Sequence, residues 1–349
     1  MKLTTHIIED DIVRDLSQKF DVPFSLCSET EIQEFIPPQK FTLGVIVGPS
    51  GSGKSSLLRH LFSVAPPPAW DYTKAVASHF QTTEETISRL GAVGFGTIPA
   101  WLRPFQCLST GEQFRADLAR QIDSFKAVDE FTSVVDRTVA RSCATALGKY
   151  LRATGVQNFV LATCHYDVIR WLVPDWVYDM RTHQLFTGRW QSRPRLSVEI
   201  LPSSSKIWPL FSQHHYLTAQ INAAARCWVA VLNHSPIGFA SALAFPNGNF
   251  THAWREHRTV ILPDYQGLGL GVRLSDAIAR IFVSSGHRYF SKTAHPRMGF
   301  YRNHSLLWRP TSKNMKSRED YRIIRVTKES GYKHLHQSRC CFSHEFVGP

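Results

Sequence analysis

Two glycine-rich segments of this chain carry the residue types that bind phosphate groups. The first reads G-P-S-G-S-G-K-S over residues 48–55, and the second reads Q-G-L-G-L-G over residues 266–271. In the first, glycines let backbone N–H groups curl around phosphates, Lys54 reaches the outer phosphates and the Ser55 hydroxyl holds Mg²⁺. In the second, glycines let the backbone approach a pyrophosphate at the start of a helix. Each segment therefore predicts its own phosphate-bearing ligand.

The residues around the first segment predict the strand and the helix that a P-loop requires. Residues 41–47 are a short apolar run rich in β-branched residues, which indicates a buried parallel strand. Residues 55–62 have apolar residues at helical spacing. A strand, a G-x-x-x-x-G-K-S loop and a helix in this order predict ATP binding with Mg²⁺. The predicted ATP contacts are Gly48, Ser50, Gly51, Gly53, Lys54, Ser55 and Ser56.

Further motifs follow in an order that narrows the class of P-loop protein. They read L-S-T-G-E-Q at 108–113, A-V-D-E-F at 127–131, S-V-V-D at 133–136 and L-A-T-C-H-Y at 161–166. Together they resemble the signature motif, the Walker B strand, the D-loop and the switch histidine of ABC-family ATPases. The resemblance implies that Asp129 holds Mg²⁺ through water, that Glu130 polarises the attacking water and that His165 senses the γ-phosphate.

Some positions depart from the usual ABC pattern. Thr110 replaces the first glycine of L-S-G-G-Q, Glu112 takes the glutamine position, and Lys126 interrupts a strand that should be apolar. The helical subdomain is abbreviated, and Gln81 is the candidate Q-loop glutamine. In the resembled family the P-loop of one copy is closed by the signature of another. The resemblance therefore implies a homodimer in which Ser109 and Gly111 act in trans.

The two halves of the chain differ strongly in net charge. Residues 1–192 hold 19 Lys and Arg against 20 Asp and Glu, whereas residues 193–349 hold 21 against 8, a net charge of +13. Basic side chains on phosphates release counterions and give sequence-independent affinity, so the second half predicts contact with nucleic acid. The alternative is that the charge serves only solubility and an anionic cofactor. Pro194 and the polar residues around it predict the boundary, with domains at 1–192 and 193–349.

The second half has its own order of predicted elements. The patterns indicate strands at 196–200, 227–232, 237–242 and 258–263, helices at 206–217 and 272–282, and a final strand at 342–348. The strand, glycine loop and helix around residues 258–282 resemble motif A of the GNAT acyltransferases, Q/R-x-x-G-x-G/A. The resemblance implies acyl-CoA such as acetyl-CoA as cofactor, bound by Gln266, Gly267, Leu268, Gly269, Leu270 and Gly271. A dinucleotide fingerprint is the alternative, but the acidic ribose-binding residue expected about twenty positions later is absent.

The rest of the second half carries a more specific resemblance. The blocks H-R-T-V-I-L-P-D at 257–264, S-K-T-A-H-P at 291–296, Y-R at 301–302 and S-L-L-W at 305–308 resemble the Mom-like branch of the GNAT fold. Members of that branch are phage enzymes that modify adenine in DNA to evade restriction. The resemblance implies DNA as partner and substrate.

Transfer of an acyl-derived group to an exocyclic amine needs a base and an acid. Tyr301 is the predicted acid, because GNAT enzymes often keep a tyrosine on this helix. His295 is the predicted base, with Asp264 and Glu256 in reserve. Alternatively His295 closes a turn, and Tyr301 and Trp308 are core aromatics. The predicted phosphate contacts are Arg258, Arg297 and Arg302.

The sequence thus predicts an α/β protein with a P-loop ABC-type nucleotide-binding domain followed by a mixed α/β GNAT-fold domain. Its seven cysteines form no C-x-x-C pair, and no secretory signal or membrane span is evident, which predicts a soluble cytoplasmic protein with reduced thiols. The predicted function is ATP-dependent modification of DNA. The alternatives are an RNA or protein N-acetyltransferase with ATPase-driven remodelling of its substrate, and a non-enzymatic, ATP-controlled DNA-binding clamp.

Overall fold

The computed structural model describes residues 1–123, 125–188, 196–215, 220–246, 252–318 and 339–348. The chain forms two compact units. Unit 1 comprises Met1–Ala69 and Gln113–Pro194, and unit 2 comprises Trp70–Glu112 and Arg195–Pro349. The boundary predicted between residues 192 and 193 lies outside the described residues. Residues Trp70–Glu112, here termed the insert, follow the P-loop in sequence but belong to unit 2.

The described elements alternate between strands and helices through most of the chain. The strands are β1 (Lys2–His6), β2 (Cys27–Glu31), β3 (Leu43–Val47), β4 (Ser63–Val64), β5 (Lys126–Val128), β6 (Phe159–Thr163), β7 (Trp176–Asp179), β8 (Gln184–Thr187), β9 (Glu199–Ser203), β10 (Arg226–Leu232), β11 (Ser235–Ala244), β12 (Ala253–Ile261), β13 (Arg288–Thr293), β14 (Trp308–Pro310), β15 (Lys316–Arg318) and β16 (Arg339–Phe346). The α-helices are α1 (Asp11–Phe20), α2 (Lys54–Leu61), α3 (Thr83–Ala92), α4 (Ile98–Trp101), α5 (Thr110–Gln121), α6 (Arg137–Thr154), α7 (Ile169–Leu172), α8 (Pro209–Ser212), α9 (Leu270–Ser284) and α10 (Pro296–His304).

Unit 1 is built on a largely parallel sheet with strand order β4-β5-β6-β3-β7-β8, in which β8 alone runs antiparallel to its neighbour. Every residue of β3 and β6 is buried, as expected for central parallel strands covered on both faces. Lys126 does not interrupt β5. It begins the strand, and its ammonium donates to Ser63 Oγ at 3.3 Å. The carboxyl ends of β3, β5 and β6 therefore meet at one edge of the sheet, where parallel α/β sheets bind ligands.

Unit 2 contains a second, mainly antiparallel sheet with strand order β14-β16-β13-β12-β11-β10-β9, and β15 pairs with β16. β12 and β13 are parallel, and they pair only where residues 253–255 face residues 288–290. Beyond Arg255 the two strands separate. The helix α9 covers the sheet with Leu274, Ile278 and Phe282, which join the buried core.

Several sequence predictions for unit 2 needed correction. The helix expected at 206–217 is only α8, after a 3-10 turn, and residues 216–219 lie outside the described part of the chain. β12 begins five residues earlier than the strand predicted from residue 258, because the polar run from Arg255 to Arg258 masks its strand pattern. The final strand is β16, at Arg339–Phe346.

The insert is a short helical element of unit 2. α3 begins at a capping Thr82, whose side chain accepts from Glu85 N, and α4 has Pro99 in its first turn. Trp70 stacks on Phe105 with ring centroids 4.5 Å apart. Throughout the described residues, no helix is both long and apolar enough to cross a membrane.

Candidate functional site

The first glycine loop connects β3 to α2 and adopts a path that its glycines permit. Gly51 and Gly53 have left-handed backbones, with φ of 76° and 84°. A Cβ at Gly48 would lie 2.6 Å from Met180 Cβ, and one at Gly53 would lie 2.6 Å from Ile32 Cδ1. Side chains at these positions would therefore displace the loop.

Polar groups of this loop fit a phosphate ligand. The Lys54 ammonium lies against the loop and donates to the Pro49 carbonyl at 2.6 Å. Ser52 Oγ is buried and has no hydrogen-bond partner within the described residues. Because α2 begins at Lys54, the positive end of its dipole faces the loop. The loop, which includes Ser50 and Ser55 and is followed by Ser56, is thus suited to bind nucleotide phosphates.

The predicted hydrolytic residues follow the ends of the neighbouring strands. Asp129 and Glu130 come directly after β5, and Glu130 N donates to Asp129 Oδ1 at 2.9 Å. Glu130 has a left-handed backbone with φ of 52°, and its side chain is exposed. Arg59 Nη2 lies 3.9 Å from Asp129 Oδ2, a contact that the sequence did not predict.

The switch histidine after β6 contacts the same strand edge. His165 Nδ1 lies 3.2 Å from the hydroxyl of Thr132, two residues after Glu130. Burial lowers the pKa of His165, the nearby Arg137 lowers it further, and Asp167 partly opposes the shift. A neutral imidazole is expected at physiological pH. Thr132 is a functional candidate that sequence motifs missed, and its left-handed backbone is visible only in the structure.

The signature motif lies at the start of α5. Both the backbone N–H and the hydroxyl of Ser109 donate to the Glu112 carboxylate at 3.0 Å. The Glu112 side chain thus satisfies the Ser109 N–H, as in one half of a capping box, while Glu112 N donates to the Ser109 carbonyl at 2.9 Å. The nucleotide roles of Ser109, Gly111 and the exposed Gln81 stay predictions.

The second glycine loop lies between β12 and α9. Gly267 and Gly269 have left-handed backbones, with φ of 87° and 80°, and Gly269 is the N-cap of α9. A Cβ at Gly269 would meet no atom within 4 Å, so this side of the loop is open. Gly271 faces inward, where a Cβ would lie 3.6 Å from Ile261 Cγ1 and 3.9 Å from Met298 Cε. The loop therefore presents backbone at an open helix N-terminus.

The Gln266 side chain holds this loop in place through hydrogen bonds to two other segments, and its contact with acyl-CoA stays a prediction. Its Nε2 donates to the Ile261 carbonyl at 2.8 Å. Its Oε1 accepts from Gly96 N at 2.8 Å and from the Thr97 hydroxyl at 3.3 Å. Sequence reasoning missed Gly96 and Thr97, although three glycines at 91, 94 and 96 signal a close backbone approach.

The predicted acid, Tyr301, lies on α10 beside α9. Its hydroxyl donates to Asp276 Oδ2 at 2.6 Å, and the indole N–H of Trp308 donates to Asp276 Oδ1 at 2.7 Å. Burial raises the pKa of Tyr301, and Asp276 raises it further. The phenol therefore stays protonated at physiological pH. Asp276 is a second residue that the motifs did not identify.

The predicted bases have different environments. Burial lowers the pKa of His295 to about 4, with Arg297 adding to the shift, so the imidazole is neutral at physiological pH. Asp264 is exposed in the 3-10 turn before the second glycine loop. Glu256 is a buried ion-pair partner and is a poor candidate for a base.

The prediction that Arg302 contacts nucleic-acid phosphates is wrong, because this side chain is fully buried. Its guanidinium donates to Glu256 Oε2 at 2.8 Å and to Ser275 Oγ at 2.7 Å, and also to Ser291 Oγ. Glu256 and Ser291 lie just beyond the last paired residues of β12 and β13. Arg302 therefore joins the two strands where they separate.

The other two predicted phosphate contacts, Arg258 and Arg297, donate to backbone carbonyls of the protein. Arg258 donates to the carbonyls of His257 at 2.9 Å and Gln220 at 3.0 Å. Arg297 donates to the Gly91 carbonyl at 2.7 Å. Their contact with nucleic acid stays a prediction.

An open depression of about 500 Å³ lies on α10. It is lined by Arg297, Phe300, Tyr301, His304 and Ser305. Phe300 is 53% exposed. The described residues contain no group of three or more His, Cys, Asp or Glu suited to hold a metal ion. The roles of Ser55 and Asp129 in binding Mg²⁺ with a nucleotide stay predictions.

Comparison with known proteins identifies the second domain. The model of the acetyltransferase (GNAT) family matches residues 190–305. IAA acetyltransferase from Bacillus cereus ATCC 14579 is 15% identical with a TM-score of 0.31, over 43% of this chain and 99% of that chain. A GNAT family acetyltransferase from Elizabethkingia anophelis, solved with acetyl-CoA bound, is 11% identical with a TM-score of 0.30, over 43% and 97%.

Similarity extends to a solved ATP-binding cassette. A dimeric post-hydrolysis state of such a cassette, bound to ADP and Pi, is 15% identical with a TM-score of 0.34, over 47% of this chain and 90% of that chain. No curated protein matches the sequence. The chain thus combines a segment that the GNAT acetyltransferase family model matches with a unit that carries P-loop motifs on a largely parallel sheet.

Proposed function

We propose that this protein transfers an acyl-CoA-derived group to nucleic acid, with adenine in DNA as the acceptor and ATP binding and hydrolysis as the driving step. The observation that supports acyl-CoA as the donor is the loop at residues 266–271, which lies inside the segment matched by the GNAT family model. Its two glycines with left-handed backbones lead into the fifteen-residue helix α9. A Cβ placed at Gly269 would meet no atom within 4 Å, so this side of the loop is open. A pyrophosphate placed there would accept from backbone N–H groups at the positive end of α9.

Charge and shape support nucleic acid as the acceptor. The excess of thirteen basic residues in 193–349 favours a polyanion over a small neutral substrate. The depression on α10 combines the exposed Phe300 ring with Arg297 and His304. An unpaired base can stack on such a ring while its phosphates meet the basic surface. A base in a duplex must first be flipped or unpaired, which costs a few kcal/mol.

The residues around α10 suit acid–base catalysis of acyl transfer. The acceptor amine attacks the thioester carbonyl carbon, so that a C–N bond forms and the C–S bond breaks. His295 accepts the amine proton as a neutral imidazole and passes it to solvent. Tyr301 protonates the departing thiolate and recovers its proton from solvent. Because the phenol donates to Asp276 at rest, this step requires the hydrogen bond to shift from Asp276 to the sulfur.

The ATPase unit would supply the work of exposing the base. Lys54 and the loop at 48–55 would bind the phosphates of ATP, with Ser55 and Asp129 on Mg²⁺ and Glu130 on the attacking water. Two copies would form a homodimer in which Ser109 and Gly111 of one copy close the nucleotide site of the other. ATP is thus proposed to control access of DNA to the acyltransferase.

The experiment is an acyl-transfer assay on the full-length protein with acetyl-CoA and three separate acceptors. Single-stranded DNA, single-stranded RNA and a lysine-rich peptide are each incubated with and without ATP and Mg²⁺, and free CoA is measured with a thiol reagent. Release of CoA with DNA, lost in Gly269→Asp, is the expected result. Release with RNA or peptide alone would replace the proposal by the corresponding acetyltransferase. DNA binding without CoA release in any arm would indicate the ATP-controlled clamp.

A further inference from the structure

Residues 91–97 of the insert, here termed the glycine segment, contact the proposed coenzyme loop. The segment reads G-A-V-G-F-G-T and connects the end of α3 to α4. Gly96 N donates to Gln266 Oε1 at 2.8 Å, and the Thr97 hydroxyl donates to the same oxygen at 3.3 Å. Since Gln266 Nε2 also donates to the Ile261 carbonyl, one amide side chain bridges β12 and the glycine segment.

The glycines of this segment are required by close contacts. A Cβ at Gly94 would lie 2.9 Å from the backbone oxygen of Gln266 and 3.6 Å from Gly267 Cα, and Gly94 has a left-handed φ of 76°. A Cβ at Gly96 would lie 2.8 Å from Gln266 Oε1. At Gly94 an added Cβ would press against backbone atoms, and no change of side-chain rotamer can relieve that contact. The glycine segment and the coenzyme loop therefore constrain each other's position.

A second contact attaches the same segment to α10. Arg297 Nη1 donates to the Gly91 carbonyl at 2.7 Å, and a Cβ at Gly91 would lie 2.5 Å from that nitrogen. The next residue, Met298, packs within 3.9 Å of the position of a Gly271 Cβ. The glycine segment is thus fixed at one end to α10 and at the other to Gln266, the first residue of the coenzyme loop.

We propose that the glycine segment is a functional part of the acyl-CoA site: it holds the loop at 266–271 in the conformation that binds the coenzyme. This inference rests on the proposed function of that loop. A loop that is already ordered loses less entropy on binding, so its affinity depends on the contacts that order it. Gln266 is the positioning residue, since its side chain binds the segment while Gly269 faces the open side of the loop. The acyltransferase site then includes residues from a stretch that lies between the P-loop and the signature motif in sequence.

The test is titration of the full-length protein with CoA by calorimetry. Gly94→Ala pushes against the Gln266 backbone, whereas Gly96→Ala pushes only against its side-chain amide and requires no left-handed alanine. Gly286→Ala is the matched control for backbone strain, because Gly286 has φ of 78° and a Cβ there would meet nothing within 4 Å. Thermal melting of each variant is recorded in parallel.

We expect Gly94→Ala and Gly96→Ala to weaken CoA binding about fivefold or more, the scale of one lost hydrogen bond, with Gly286→Ala within about twofold of wild type. If Gly94→Ala does not fold, Gly96→Ala decides the outcome. Affinities equal to that of Gly286→Ala would overturn the inference while leaving the proposed function intact. Absence of CoA binding by the wild type would overturn the proposed function, and this inference with it.

Discussion

Replacing Arg302 by methionine should destabilise the protein strongly. The change removes a fully buried guanidinium that donates to Glu256, Ser275 and Ser291, and it leaves the Glu256 carboxylate, whose side chain is 10% exposed, without its counter-charge. Breaking one side of a buried ion pair typically costs about 3–5 kcal/mol. The nearby Arg302–Trp308 contact, with the guanidinium 4.5 Å from the ring centroid, is lost as well.

Arg309→Met is the matched control, because Arg309 also pairs with a glutamate in the same unit. Its contact with Glu345 is 2.9 Å long, but the Arg309 side chain is 66% exposed. Because Arg309 is exposed and Glu345 keeps its second partner, Arg288, at 2.6 Å, the loss of Arg309 should cost only about 0–1 kcal/mol. The assay is urea denaturation at neutral pH followed by tryptophan fluorescence. The double variant Arg302→Met with Glu256→Gln should recover part of the loss, because it removes the unpaired charge.

The reasoning would be refuted by a free energy of unfolding for Arg302→Met within about 1 kcal/mol of that for Arg309→Met. Normal stability together with weaker DNA binding would restore Arg302 as a phosphate contact. The carboxylate offers an independent check. Although burial alone raises the pKa of Glu256, Arg302 and the hydroxyls of Ser291 and Thr259, which donate to the carboxylate, hold it below its ordinary value of 4.5. This stabilisation is present above pH 4.5 and should be lost as the pH falls through the lowered pKa.

Four further outcomes are expected. Gly53→Ala and Lys54→Ala should each abolish ATP hydrolysis, measured as phosphate release. A Cβ at position 53 would clash with Ile32, and loss of Lys54 removes the cation that binds the outer phosphates. Unchanged hydrolysis in Lys54→Ala would contradict the P-loop assignment. Tyr301→Phe should lower kcat about tenfold to a hundredfold with CoA affinity retained, and an unchanged kcat would exclude Tyr301 as the acid. If His295 is the base, kcat/KM should stay level from pH 8 to about pH 5 and fall only near its pKa of about 4, whereas a decline centred near pH 6.5 would exclude it. Burial lowers the pKa of four histidines from 6.5 to about 4: His215, His257, His295 and His344. Between pH 6.5 and about pH 4 the unfolded chain therefore binds more protons than the folded one, so the urea midpoint of denaturation should fall as the pH drops through this range. A midpoint that does not change with pH would contradict the burial of these histidines.

The sequence predicted the local elements well where one physical signal dominated. The apolar, β-branched run before the P-loop became β3, and the strand, glycine loop and helix around Gln266 became β12 and α9. Helix prediction was less successful at residues 206–217, where Pro209 begins only a four-residue helix. Apolar spacing identifies a helical face but does not reveal where tertiary contacts end it.

The candidate site shows a different limit. Motifs identify glycines whose backbone adopts a left-handed conformation in a loop, such as Gly267 and Gly269. They do not reveal that a conspicuous arginine is buried, because Arg302 reads as a surface charge until its partners Glu256 and Ser291 are brought together from separate strands. Likewise, the bond between Gly96 and Gln266 joins residues 170 positions apart, and no local pattern encodes that pairing. Partners of polar residues that are distant in sequence could therefore be identified only from the structure.

The central claim is tested most directly by mass spectrometry of nucleosides digested from DNA and RNA of cells that express the protein. Wild type, Gly269→Asp and Lys54→Ala are compared, since the first variant places a carboxylate at the open side of the coenzyme loop and the second disables the P-loop. The proposal predicts a new adenine-derived nucleoside in DNA that is absent with Gly269→Asp and reduced with Lys54→Ala. DNA and RNA free of any new nucleoside, from cells in which the wild-type protein is folded and binds CoA, would contradict it.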